Sequence, residues 1–241
     1  MMHIMSYGGG VNSSAMLFYI LRHKLPLNLV IFSDTGEEEP PTYDAVKRMR
    51  ELCLSRDIAF QTVKSKHGNL YDYYYFKNAV PSIMRRDCTS KFKIAPIRQH
   101  IRARYGKKER FGFYIGIAWD EVSRVRDSDV KYIDNLYPLV EARITREGCF
   151  KILEEEGFTA KKSGCKGCPF RPRKEWHEMV KSDSHEFRRW RILEENCSAF
   201  PRVTLLGRVK LGDIEKAIKE QRTLLEWENP IPCDVAGGCF L

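Results

Sequence analysis

MMHIMSYGGGVNSSAMLFYI, residues 1–20, runs from a short apolar stretch through three successive glycines to Asn12, a serine pair and a longer apolar stretch. His3–Ser6 reads as a short strand and Ser13–Arg22 as an almost wholly apolar helix, so the glycines fall between a buried strand and a helix N-terminus. Backbone N–H groups there lack intrahelical partners, the helix dipole favours negative charge, and missing β-carbons let an anion come close. Asn12, Ser13 and Ser14 add side-chain donors or cap the helix. A tight turn with a capping serine would use the same residues. The stretch is not the Walker signature, because no Gly-Lys-Ser/Thr follows, nor the dinucleotide G-x-G-x-x-G, which needs Gly at 13.

The same alternation continues outward. LVIFS at 29–33 reads as a buried strand, about 42–56 as a helix, and IAFQTV at 58–63 as a strand. Pro96 begins a helix with Ile94, Ile97 and Ile101 on one face, and FGFYIGIA at 111–118 is a further strand. Buried strands alternating with helices predict an α/β fold, a parallel twisted sheet with helices on both faces. From about residue 145 the pattern changes to helical segments at 146–156, 173–195 and 213–226, separated by turns rich in Gly, Cys and Pro. No strand is expected after Leu139. The reading is therefore an α/β domain over 1–140 and a smaller helical, cysteine-bearing region over 141–241. The aromatic run YDYYYF at 71–76 has no assigned role.

Composition narrows the partners. The 241 residues hold 41 Lys and Arg against 32 Asp and Glu, a formal net charge of +9 that favours a polyanion such as a nucleotide or nucleic acid. No secretory signal and no apolar run long enough to span a bilayer is evident, so a cytoplasmic protein without a membrane partner is expected. Eight cysteines in a reducing compartment point to metal binding or redox chemistry rather than disulfides.

Two further stretches carry chemistry. In FSDTGEEEPPTYDAV, residues 32–46, Asp34 and Thr35 stand at the carboxyl end of a buried strand, the edge of an open α/β sheet where ligands bind. A solvated acidic loop before a helix starting at Pro41 and Thr42 is the competing reading. In GCKGCP, Cys165 and Cys168 form a C-x-x-C turn that suits two thiolates on one metal, with the remaining ligands coming from elsewhere. Cys53 and Cys149 fall on apolar helix faces and read as core residues.

Six motifs then stand in a recognisable order: the glycine loop at 8–13, S-D-T-G-E-E-x-P-x-T-Y at 33–43, R-x-D-C-T-x-K-x-K-x-x-P-I at 85–97, G-I-x-x-D-E-x-x-R at 116–124, Y-P-L at 137–139 and C-x-x-C-P at 165–169. In that order they resemble the phosphoadenosine phosphosulfate reductase family, part of the wider class of PP-loop ATP pyrophosphatases. The resemblance covers roughly residues 3–170. It implies an adenine nucleotide alpha hydrolase-like sheet binding ATP, with Mg²⁺, at the loop after the first strand. Carried over position by position, Ser6, Gly8, Gly9, Gly10, Asn12, Ser13 and Ser14 line the phosphate site. Asp34 and Thr35 lie beside the nucleotide, and Lys91, Lys93 and Arg124 contact its anionic groups. The usual signature has Asp where this chain has Asn12, and an amide supplies no negative charge to Mg²⁺.

The resemblance also selects Cys88 as a metal ligand with Cys165 and Cys168, because cluster-bearing members use cysteine at that motif and at a later C-x-x-C. A 4Fe-4S cluster is implied, with zinc as the alternative. Those members often show a Cys-Cys doublet whose first position is Asp87 here, so the fourth ligand is Cys233, Cys239, a non-cysteine group or an open site. Reductases of the family attack sulfur with a tail cysteine in an E-C-G-x-H context that this chain lacks. Cys239, in CDVAGGCFL at 233–241, would act as nucleophile, ligand or sulfur carrier.

Basic residues interleaved with Phe170, Trp176 and Trp190 around the cysteines suit a nucleic-acid backbone with stacked bases. Three functions follow. The first is an ATP pyrophosphatase that adenylates an oxygen of DNA or tRNA for sulfur incorporation, resembling the DNA phosphorothioation and tRNA thiolation members of the class, with a sulfur donor such as a cysteine desulfurase. The second is an adenylyl sulfate reductase. The third is a non-enzymatic nucleic-acid-binding module stapled by a cluster or zinc.

Overall fold

The computed structural model describes residues 1–200, 202–207 and 209–220. Cys233 and Cys239 lie outside the described residues. Chain order is β1 (Met2–Tyr7), α1 (Val11–Arg22), β2 (Leu29–Asp34), α2 (Pro40–Leu54), β3 (Ala59–Lys64) and α3 (Leu70–Phe76), then α4 (Asp87–Thr89), a π-helical segment (Ser90–Ile94) and α5 (Ala95–Tyr105). There follow β4 (Phe111–Tyr114), a 3₁₀ segment (Trp119–Arg124), β5 (Ile133–Leu136), α6 (Pro138–Glu141), α7 (Arg146–Glu155), α8 (Arg173–Ser182), α9 (Ser184–Glu195) and α10 (Leu211–Lys219).

The five strands form one parallel sheet in the order β3-β2-β1-β4-β5. The order reverses at β1, so the carboxyl ends of β1 and β4 flank the crevice where such sheets bind ligands. One face carries Met5, Tyr7, Val30 and Phe32 against α1, α2 and α7; the other carries Ile4, Ile31 and Phe113 against Ile97 and Ile101 of α5. Cys149 and Leu153 of α7 sit fully in the first of these cores, packed on α1, with Phe158 and Ala160 beyond them. Burial pushes the thiols of both Cys53 and Cys149 up to about 12, as expected of inert core residues.

A third core gathers Trp176, Phe187, Trp190 and Leu193 of α8 and α9 with Leu70 and Tyr74 of α3 and with Phe92. The aromatic run at 71–76 is thus the amphipathic helix α3, joining the α/β part to the helical part. Trp176 and Trp190 are fully buried, which corrects their expected role as stacking platforms for bases. The indole N–H of Trp190 donates to Glu186 Oε1 at 2.7 Å, satisfying its buried polar edge.

Three local expectations change for physical reasons. The single helix expected over 173–195 is two, because Asp183 adopts non-helical angles and its carboxylate accepts the Glu186 N–H at 3.1 Å, capping α9. A strand at 133–136 was not expected, since IDNL is short and half polar, and only Ile133 is buried on this sheet edge. The helix of α4 and α5 contains a π-helical segment because Pro96 has no N–H to give Phe92 C=O; the Ala95 N–H bonds Ser90 C=O instead. The released carbonyls of Phe92 and Lys91 accept the hydroxyls of Ser33 (2.6 Å) and Ser65 (2.8 Å) at the ends of β2 and β3. Among the described residues no helix is long and apolar enough to cross a membrane.

Packing under the cysteine turn tolerates no side chain at Gly167. A β-carbon there would fall 2.2–2.4 Å from three ring carbons of Trp190. Gly167→Ala should destabilise the protein by about 1–3 kcal/mol, the usual cost of overpacking a rigid core, read as a lower urea midpoint with an unchanged slope.

Candidate nucleotide and cysteine site

The glycine loop lies at the reversal point of the sheet and is held from three sides. Gly9 adopts φ +70°, and a β-carbon on it would meet Thr42 Cγ2 of α2 at 2.6 Å, so both backbone and space demand glycine. A β-carbon on Gly10 would meet Ser163 Oγ at 2.7 Å, and one on Gly116 after β4 would meet the Ser13 backbone at 2.9 Å. The loop therefore touches the segment after β2, the segment after β4 and the approach to the cysteine turn. This convergence joins the separate sequence motifs.

Within the loop, Ser13 Oγ accepts the N–H groups of Gly8 (3.3 Å) and Gly10 (3.2 Å), fixing its curvature. Ser14 turns into the core and pairs with the Tyr7 hydroxyl at 2.9 Å, which makes it a packing residue in this structure. No side chain caps α1 by a hydrogen bond, so its N-terminal donors are not spent on an N-cap. Ser6 Oγ, one residue before Tyr7, is buried and has no partner among the described residues. Asn12 Nδ2 donates to Glu121 Oε2 at 2.6 Å, and Glu121 also pairs with Arg124. Arg146 reaches Asn12 Oδ1 at 3.4 Å. A carboxylate thus stands beside the amide that replaces the usual Asp, a residue the motif contained without drawing attention to it.

At the end of β2, Asp34 Oδ1 accepts the Gly36 N–H (2.8 Å) and the Tyr43 hydroxyl (2.9 Å), and Oδ2 lies 3.6 Å from Lys64 Nζ. Burial and the adjacent Asp34 push the Tyr43 phenol well above its ordinary value. The acidic run that follows is not a solvated loop. Glu37 and Glu38 are buried and pair by backbone with the cysteine turn: Lys166 N–H donates to Glu37 C=O (2.7 Å) and Glu39 N–H to Gly164 C=O (3.1 Å). Their carboxylates take three different cations: Glu37 with Arg189 (2.7 Å), Glu38 with Lys93 (3.2 Å), and Glu39 with Arg171.

The three expected metal ligands are drawn to one region. Cys165 belongs to the third core and Cys88 packs against it, while the Cys168 N–H closes the turn onto Cys165 C=O at 3.1 Å. The Cys165 thiol donates to Glu38 Oε1 at 3.4 Å and lies 3.4 Å from Thr35 Oγ1. Burial and neighbouring Glu38 push it well above the ordinary thiol range, against the opposing charge of Lys93. Among the described residues no three His, Cys, Asp or Glu side chains stand together as a metal-binding group.

Of the expected anion contacts, Lys91 pairs with Asp87 at 2.7 Å, Lys93 with Glu38, and Arg124 with Glu121. Asp87, standing where cluster-bearing relatives have cysteine, also accepts the Tyr74 hydroxyl at 2.7 Å. Lys166 and Arg189 both contact Glu186, so much of the basic cysteine region is neutralised internally. Exposed aromatic and basic groups persist where α3 ends: Phe76 is 80% exposed, and the Arg85 guanidinium lies 4.2 Å from the centre of the partly exposed Phe200 ring. Asn78 C=O accepts the Ala199 N–H at 3.0 Å, bringing these segments together.

A five-stranded parallel sheet with a glycine loop at its reversal point defines an open α/β domain. Residues 2–110 match the family model of the phosphoadenosine phosphosulfate reductase domain. Among solved structures it is similar to a phosphoadenylyl-sulfate (PAPS) reductase from Candida auris in its phosphate complex, at 13% identity and TM-score 0.47, over 66% of this chain and 74% of that one. It is also similar to the U34-tRNA thiolase NcsA from Methanococcus maripaludis with its [4Fe-4S] cluster, at 16% identity and TM-score 0.49, over 86% of this chain and 75% of that one. No curated protein matches the chain.

Asp87 should leave a mark on acid stability. Burial works to raise its carboxyl, but hydrogen bonds from Lys91 and Tyr74 and the charges of Lys91 and Arg85 hold it below the ordinary value near 3.8. Its stabilisation is complete above the unfolded value and is lost as pH falls through the lower folded one. Urea titrations between about pH 5 and pH 2.5 should show a loss of stability below about pH 4. That loss should be shallower in Asp87→Asn.

Proposed function

We propose that the chain is a cytoplasmic ATP pyrophosphatase that adenylates an oxygen of DNA or tRNA so that sulfur can replace it. The observation that carries the reading is the contact of the glycine loop with the segment bearing Cys165. It sets a phosphate site and a thiol-rich turn side by side. In the proposed reaction the acceptor oxygen attacks the α-phosphorus of ATP and expels pyrophosphate. A sulfur nucleophile, supplied by a donor such as a cysteine desulfurase, then displaces AMP.

The loop residues Gly8, Gly9, Gly10, Asn12 and Ser13 hold the phosphates, and their fixed N–H groups favour the charge that develops on the departing pyrophosphate. Asp34, oriented by Gly36 and Tyr43, borders the nucleotide with Thr35. Lys91, Lys93 and Arg124 exchange or share their carboxylate partners with the incoming anion, and Mg²⁺ accompanies ATP. Phe76, Arg85 and Phe200 support a nucleic-acid acceptor, since exposed rings beside a guanidinium suit unpaired bases and phosphates.

The family match favours a second reading, reduction of an adenylyl sulfate with Cys239 as nucleophile, through the same loop. ATP and Mg²⁺ with nucleic acid should release pyrophosphate faster than without it, and less so as salt rises, because each neutralised phosphate releases counterions. Rapid sulfite release from adenylyl sulfate with a thiol reductant, abolished in Cys239→Ser, would establish the reductase instead. Nucleic-acid binding with neither product would favour the non-enzymatic module.

A 4Fe-4S cluster or zinc belongs to the proposal only with a ligand beyond the described residues, such as Cys233. Protein purified anaerobically should contain iron and inorganic sulfide that fall together in Cys88→Ser. Stoichiometric zinc without iron would assign a structural metal in its place.

A further inference from the structure

We infer that Ser163 is a phosphate-binding residue of the nucleotide site, delivered to the glycine loop by the cysteine-bearing segment; the inference rests on the nucleotide reading above. Ser163 is an outside side chain that lies against both Gly8 and Gly10 of the loop. Its Oγ is 2.7 Å from the place a β-carbon of Gly10 would take and 3.8 Å from that of Gly8, and its backbone nitrogen is 3.1 Å from the Gly10 position. Gly10 therefore admits Ser163 as well as any anion.

The hydroxyls around the loop differ in what they have left to give. Ser14 is paired with Tyr7, and the Ser13 hydroxyl donates to Gly10 C=O while accepting two loop N–H groups. Ser163, only half-buried, makes no hydrogen bond among the described residues. Its proton is unspent beside the donors that begin α1. Exposed Lys161 and Lys162 precede it and add positive charge on the same approach.

Ser163 is also held in place. Gly164 C=O accepts the Glu39 N–H, so the pairing with the acidic run begins one residue later, and Cys165 follows directly. A donor fixed by such support needs little ordering when an anion arrives. The ligand chemistry is a phosphoryl group of an adenine nucleotide, which ATP and adenylyl sulfate both carry.

Calorimetric titration of the full chain and of Ser163→Ala with ATP, adenylyl sulfate, pyrophosphate and adenosine tests the assignment, with melting temperature as the check on folding. The variant should bind the phosphorylated ligands roughly 10- to 100-fold more weakly, the worth of one hydrogen bond to a charged group. Adenosine affinity and melting temperature should stay unchanged. Equal affinity of both proteins for ATP would overturn the inference, as would an equal loss for adenosine and ATP, which would mark Ser163 as a wall of the pocket. A wild-type chain that binds adenylyl sulfate but not ATP, with the loss still present, would retain Ser163 and remove the ATP reading. Wild-type binding of no phosphorylated ligand would overturn both.

Discussion

The antiparallel pairing of Glu37–Glu39 with Gly164–Lys166 fixes the relation between the sheet and the helical region. Three adjacent carboxylates would repel one another on a shared surface. Here each is drawn to a cation on a different element: Arg189 on α9, Lys93 in the π-helical segment, and Arg171 just beyond the cysteine turn. Glu37 and Glu38 are nearly inaccessible, so losing a partner would strand a buried charge at a cost of several kcal/mol. The pairs need not add much net stability to matter. Their geometry sets where the turn sits, and with it Ser163 over the glycine loop and Cys165 beside Thr35.

The helix carrying Lys91 and Lys93 departs from regular geometry for a local reason. Pro96 cannot close the ordinary bond to Phe92, and the released carbonyls tie the segment to Ser33 and Ser65 at the ends of β2 and β3. A regular helix would keep those carbonyls for itself. The π-helical stretch is thus fastened to the sheet edge and presents Lys93 to Glu38. Cys88, five residues before Lys93, packs against the core that receives Cys165.

The parts legible in the sequence were those written locally. Apolar runs marked four strands, and Gly8–Gly10 between a strand and a helix marked the loop, because both signals arise within a few residues. Asp183 and Glu186 in SDSHE carried a capping pattern that would have split the helix over 173–195. The meaning of the acidic run was not local. Nothing in GEEEPP distinguishes a solvated loop from one whose partners stand about 130 and 150 residues later, since that depends on Arg171 and Arg189 arriving there. Trp176 and Trp190 misled for the same reason: beside basic residues they read as stacking surfaces, whereas the fold buries both and packs Trp190 on Gly167. Ser163 carried no signal, lying between a lysine pair and a glycine.

Charge at the site follows the same logic. A net charge of +9 suggests open cations awaiting an anion, yet Lys91, Lys93 and Arg124 each hold a carboxylate in Asp87, Glu38 and Glu121. Such pairing keeps side chains ordered before a substrate arrives, and limits the attraction they exert at long range. In the proposed nucleotide site an incoming phosphate would share a cation with a carboxylate or displace it, so affinity there would rest more on groups with no carboxylate to surrender. The backbone donors of the glycine loop are of that kind, and so is the hydroxyl of Ser163. Selection for a bound anion is therefore concentrated where the glycines are, while the ion pairs around them hold that place in shape.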